Sequence, residues 1–174
     1  MNKLILFFSL CFCTNFIYAQ VSEAIDKVED SYDDYEAAFK KIKNAISSIE
    51  GCYNANSIDD IHYYASDAES YLSSAKRYIG YAYAEADDAE DEAKDIDCSD
   101  AEDKSSDAGW GFYKAKMRIS DAIKELSDSQ WQDEPKYISY NLSNASDYIN
   151  QVIKHLESAV NDLNDTIEAL EDCK

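Results

Sequence analysis

The sequence predicts an all-α protein, an elongated antiparallel up-down-up-down four-helix bundle built from two tandem helical hairpins. Three observations carry this: few turn residues, an apolar seam with heptad spacing, and an internal repeat of 77 residues. One proline and four glycines in 174 residues leave little to interrupt long helices. Apolar residues recur instead at alternating steps of three and four, the pattern of a helix that buries one stripe.

Sliding the chain against itself by 77 residues lays 22–97 over 99–174 without a gap, with 17 of 76 positions identical. Ile42 falls on Ile119, Ile46 on Ile123, Tyr63 on Tyr140 and Tyr71 on Tyr148. We read two copies of one hairpin, about 22–98 and 99–174, forming a single bundle over 20–174.

The first helix, N-capped by Ser22, buries a seam of Ile25, Val28, Tyr32, Tyr35, Phe39, Ile42, Ile46 and Ile49. The second, capped by Asn56, buries Ile61, Ala65, Ala68, Leu72, Ala75, Ile79, Ala82, Ala86, Ala89, Ala93 and Ile96. The third opens on a capping box, Ser99 with Glu102, and buries Ala101, Ser105, Ala108, Phe112, Ala115, Ile119, Ala122 and Leu126. The fourth, capped by Asp133 with Pro135 in its first turn, buries Ile138, Leu142, Ala145, Ile149, Val152, Leu156, Ala159, Leu163, Thr166 and Leu170. Lengths of about 30 residues for the first and third helices and about 40 for the others make a rod of roughly 45 to 60 Å. Four such helices with short links bury their seams most simply as a bundle.

Residues 1–19 read as a secretory signal peptide: Lys3, an apolar run over 4–12, and a cleavage site after Ala19. The run is about half the length a membrane span requires, and no later segment is apolar enough to span. The expectation is an exported protein, periplasmic, at the cell surface or extracellular. Its formal net charge of −20 grows by one more negative unit on loss of Lys3. Such a surface repels phosphate backbones and anionic lipid, which argues against nucleic acid and electrostatic membrane docking.

That charge is uneven. From Glu85 to Asp103 there are eleven carboxylates and one lysine in nineteen residues, spanning the end of the second helix and the start of the third. Carboxylates at a helix C-terminus oppose its dipole; the first expectation is that solvent, salt and the neighbouring helix N-termini balance them, and the second is a cation or a basic partner. Asp91, Asp95, Asp97 and Asp100 are the candidate ligands of a loosely held calcium ion. An EF-hand is excluded, because the sixth position counted from Asp95 is Asp100, where that loop needs glycine.

Aromatic residues collect at the opposite end, in or near the first and third links: Tyr53, Tyr63, Tyr64, Trp131, Tyr137 and Tyr140. Tyr81 and Tyr83 lie off the second helix's seam. Exposed rings carrying hydroxyl or indole donors suit a protein or glycan partner, so Tyr53, Tyr63, Tyr64, Tyr81, Tyr83, Trp131 and Tyr137 are the partner-binding candidates. The competing expectation is that the rings at the links plug the open end of the bundle.

Cys98 and Cys173 share the acidic end, and theirs is the one intramolecular disulfide the topology permits after leader removal. A fourth helix some eight residues longer than the third, an overhang of about 12 Å, stands against it unless the bundle is staggered. Cys52 is left as a free thiol or a link between two molecules. Asp59-x-x-His62 is the nearest approach to a di-metal motif, and its repeat counterparts are Lys136 and Ser139. The chain therefore reads as a non-enzymatic interaction module without a cofactor. A cation- or small-ligand-binding protein is the alternative, and a structural spacer the third reading.

Overall fold

The computed structural model describes the backbone of residues 2–173 and the side chains of residues 19–173. The described residues form four helices and no strand: α1 (Asn2–Asn54), α2 (Ile58–Asp95), α3 (Ser99–Gln130) and α4 (Pro135–Asp172). Links of three or four residues force each helix to run antiparallel to the one before it. Packing is closest within the hairpins α1–α2 and α3–α4 and strong between α2 and α3, and of the neighbouring pairs around the bundle it is thinnest between α1 and α4. At 38 residues, α2 and α4 are each about 57 Å long. The leader reading depends on side chains that lie outside the described residues.

In α2, α3 and α4 the buried residues follow the predicted seams, with Ile61 and Ile96 half-buried at the ends of α2. In α1 the seam differs. Val28, Ile42 and Ile49 are buried as expected, but the intervening buried positions are Ala24, Ser31, Ala38, Ala45 and Cys52 rather than Ile25, Tyr32, Phe39 and Ile46. Small side chains let α1 lie close on the alanine face of α2, and the larger neighbours are displaced to the rim. There Tyr32, Tyr35 and Phe39 form a ladder: Tyr32 meets Tyr35 edge-on at 6.1 Å, and Tyr35 stacks on Phe39 at 5.7 Å. The Tyr32 hydroxyl donates to Asn164 Oδ1 at 3.2 Å, so the ladder helps to close the thin α1–α4 side.

Two buried serines bind α2 from both flanks. Ser31 Oγ donates to the Ala82 carbonyl at 2.9 Å, and Ser105 Oγ to the Ala86 carbonyl at 2.8 Å. A buried hydroxyl without a partner would cost a few kcal/mol; here each is satisfied by a carbonyl one turn from the other.

The caps sit one residue away from their expected places. Ser57, not Asn56, caps α2, its hydroxyl accepting from the Asp60 amide at 3.1 Å. Cys98 and Glu134 precede α3 and α4, neither with a side-chain cap, so the Ser99–Glu102 box does not form and Asp133 lies outside the helix. Pro135 begins α4 as expected. Ser22 caps nothing, because α1 is helical on both sides of it; neither Gly nor Pro precedes it to end the helix.

The α2 C-terminus is a Schellman motif: the Cys98 amide donates to the Ala93 carbonyl at 2.9 Å and the Asp97 amide to the Lys94 carbonyl at 3.1 Å. Asp97 takes the left-handed conformation this demands, with φ of 57°, in a place usually given to glycine. The motif delivers Cys98 to Cys173, and the two are paired with their Cα atoms 6.1 Å apart. The overhang of α4 falls at the other end. The register set by Lys104 with Asp165 and by Glu125 with Asn144 carries the first turn of α4 past the end of α3, which leaves Cys173 level with Cys98.

Candidate functional site

The end carrying residues 55–57 and 131–134 is closed from within by Ile49, Cys52, Leu126, Ser129 and Ile138, all buried. The aromatic residues lie outside this closure. Trp131 is 83% exposed, Tyr63 and Tyr140 are each 63% exposed, and Tyr53, Tyr64 and Tyr137 are exposed as well. The rings do not plug the bundle, because the seam ends on small residues, Cys52 and Ser129, and the rings attach to positions off the seam. Tyr63 and Tyr64 meet edge-to-face at 5.5 Å. Gly51 admits the Tyr64 ring, since a Cβ there would stand 2.8 Å from it. A ring nitrogen of His62 lies 3.1 Å from the Gln132 carbonyl and so joins α2 to the α3–α4 link. Beside Tyr53, the loose α1–α4 seam opens into a groove of about 220 Å³ lined by Ile46, Ile49, Glu50, Ser146, Ile149 and Asn150.

Cys52 is buried under this end, its thiol donating to the Ile61 carbonyl at 3.5 Å. Burial pushes its pKa up to about 11, which keeps it a protonated, unreactive thiol at neutral pH. A link between two copies through Cys52 would require this end to open.

At the acidic end part of the charge is balanced within the fold. Lys27 bridges Glu85 at 2.9 Å and Asp88 at 3.1 Å, and Lys104 bridges Asp165 at 3.0 Å. Lys27 and Lys104 are repeat equivalents, as are Asp88 and Asp165, so each hairpin carries the same bridge. The hydrogen bonds it donates to Glu85 and Asp88 hold the Lys27 ammonium well above its ordinary pKa. Asp34, Glu92 and Asp162 are raised above the usual carboxylate range, first by burial and then by neighbouring acids: Glu85 beside Asp34, Glu23 beside Glu92, Asp107 beside Asp162. Among the described residues no three His, Cys, Asp or Glu side chains are grouped closely enough to hold a metal ion, and Asp91, Asp95, Asp97 and Asp100 are not drawn together.

A third group lies on the side of the rod, where α2 meets α3. Trp110 stacks on Tyr113 at 5.2 Å, Tyr83 of α2 lies 6.5 Å from Tyr113, and the Lys114 ammonium covers the Trp110 ring at 5.1 Å. Met117 continues the stripe one turn on, and all four apolar side chains are exposed. Tyr81, also exposed, meets Tyr78 edge-on at 6.3 Å. Of this group the sequence reading singled out only Tyr81 and Tyr83. Trp110, Tyr113 and Met117 stand at spacings of three and four off the α3 seam, and that spacing is the signal that could have found them.

The sequence matches no protein-family model and no curated protein. Among the described residues, no helix is long and apolar enough to cross a membrane.

Proposed function

We propose that this chain is an exported, non-enzymatic helical-bundle interaction module that meets a protein or glycan partner through its aromatic end. One observation carries the reading: six exposed rings crowd the one end of the rod whose core is already closed beneath them. Burying them there serves no folding purpose, whereas exposed Tyr and Trp beside an apolar groove are the usual anchors of a binding surface. The groove by Tyr53 gives a partner's apolar side chain a place to insert, and the phenol and indole groups around it supply hydrogen bonds at the rim. The disulfide at the far end suits a protein that works in an oxidising compartment.

The test compares the purified protein with a variant carrying Tyr63→Ser, Trp131→Ser and Tyr137→Ser, on a glycan array and on the surface of the cells that produce it. The expected outcome is retention of the parent protein and at least tenfold weaker retention of the variant, as hot-spot truncations of about 2 kcal/mol each imply. The two should melt at the same temperature. Equal retention of both proteins, or retention of neither, would overturn the proposal.

A further inference from the structure

The α2–α3 face carries a pattern that neither the bundle nor the aromatic end explains. Its centre is aromatic: Tyr83 from α2, with Trp110 and Tyr113 from α3 and the Lys114 ammonium over the Trp110 ring. Toward the aromatic end lies a basic hollow of about 410 Å³ lined by Lys76, Arg77 and Lys116. Toward the disulfide end lies an acidic hollow of about 300 Å³ lined by Asp87, Glu90 and Asp107.

The two hollows are placed symmetrically. Along α2, Lys76 stands seven residues before Tyr83 and Glu90 seven residues after it. Along α3, Asp107 stands three residues before Trp110 and Lys116 three residues after Tyr113. Because α2 and α3 run antiparallel, both opposite-sign pairs point the same way along the rod. Lys76 and Glu90 each lie about 10 Å from the level of Tyr83. Lys116 adds a finer match. Its ammonium lies 3.3 Å from where a Cβ on Gly80 would stand, three residues above Tyr83, while Asp87 lies four residues below.

A two-fold axis lying in the plane of this face, perpendicular to the rod and at the level of Tyr83 and the Trp110–Tyr113 stack, sets the basic hollow of one copy over the acidic hollow of the other. Lys76 of one copy then faces Glu90 of the other and Lys116 faces Asp107, with the rings of the two copies between them. Such self-complementarity is what an isologous contact requires. It belongs to the antiparallel arrangement alone, since parallel copies would set like charges together. We infer that this face is the contact of an antiparallel homodimer, its partner a second copy of this chain. The inference is independent of the reading of the aromatic end, which the contact leaves free on both copies.

The test is sedimentation equilibrium of the full chain over a range of concentrations at about 0.15 M salt, with two double variants. Lys76→Glu with Lys116→Glu makes the strip predominantly acidic; Glu90→Lys with Asp107→Lys makes it predominantly basic. The parent protein is expected to dimerise reversibly, each variant alone at least tenfold more weakly, and an equimolar mixture of the two variants at least as tightly as the parent. None of the four side chains is buried, and unchanged helical circular dichroism checks that the fold is kept. A parent protein that stays monomeric throughout, variants that associate as well as the parent, or a mixture that fails to recover association would each overturn the inference.

Discussion

Gly111 and Gly109 stand two residues apart in α3 under opposite constraints. A Cβ on Gly111 would lie 2.8 Å from the Ala159 Cβ and 3.2 Å from the His155 carbonyl oxygen, both held by α4; at Gly109 it would meet only the Tyr83 ring, at 3.8 Å. Gly111→Ala is expected to destabilise the protein by about 1–3 kcal/mol through overpacking, despite a gain in helix propensity of about 1 kcal/mol. Gly109→Ala should keep that gain and stabilise by about 0.5–1 kcal/mol. Urea midpoints of the two variants decide it, and a Gly111→Ala protein no less stable than the parent would show that α3 and α4 do not meet so closely there. Asp97 makes a related point about legibility. The chain puts no glycine at the end of α2, so nothing in the residue type marks the left-handed position; it emerges from the amide bonds of Cys98 and Asp97.

At the scale of the helix, legibility follows from the repeat. Because 77 is a whole number of heptads, the offset preserves which face is buried. The buried positions of α3 map back onto those of α1: Ala101 onto Ala24, Ala115 onto Ala38, Ala122 onto Ala45. The α1 seam was therefore readable from α3, although the larger residues beside it, Tyr32 and Phe39, satisfy the same spacing by themselves. Hydrophobicity ranks a tyrosine or phenylalanine as a core residue, but close helix approach selects the alanine next to it. The candidate rings were legible in a similar, partial way. Tyr53, Tyr63 and Trp131 announce themselves by their place at the links. The Trp110–Tyr113 stripe shows its spacing within α3, but its third ring, Tyr83, belongs to another helix. Which turn of α2 lies beside which turn of α3 is set by packing registers such as Ser105 on Ala86, and periodicity carries no record of them.

The whole molecule is a dipolar rod whose charge bears on stability in a definite direction. Asp34, Glu92 and Asp162 have raised pKa values when folded. As pH falls toward the usual carboxylate range, the folded chain therefore binds protons before the unfolded chain does, and stability rises. His155 acts in the opposite sense. Burial, with Lys114 and Arg118 nearby, lowers its pKa below 6.5, so it costs stability as pH falls through that value. With three carboxylates on three helices against one imidazole, the melting midpoint is expected to be higher at pH 5 than at pH 7.5, and the gain should be larger in a His155→Gln variant. A midpoint that declines steadily over that range would show that the acidic end is not strained by its own charge.

The Cys98–Cys173 bond also decides what a protease can achieve. A cut anywhere in 131–134 leaves two pieces still joined covalently, because the bond closes the stretch of chain that contains that link. A cut in 55–57 has no such safeguard, and α1 is then held by packing alone, on α2 and the thinner α4 side. Limited proteolysis should therefore give nicked protein that runs at full size until reduced when the α3–α4 link is cut, and a separable α1 fragment without reduction when the α1–α2 link is cut. The second hairpin therefore survives damage that dismantles the first.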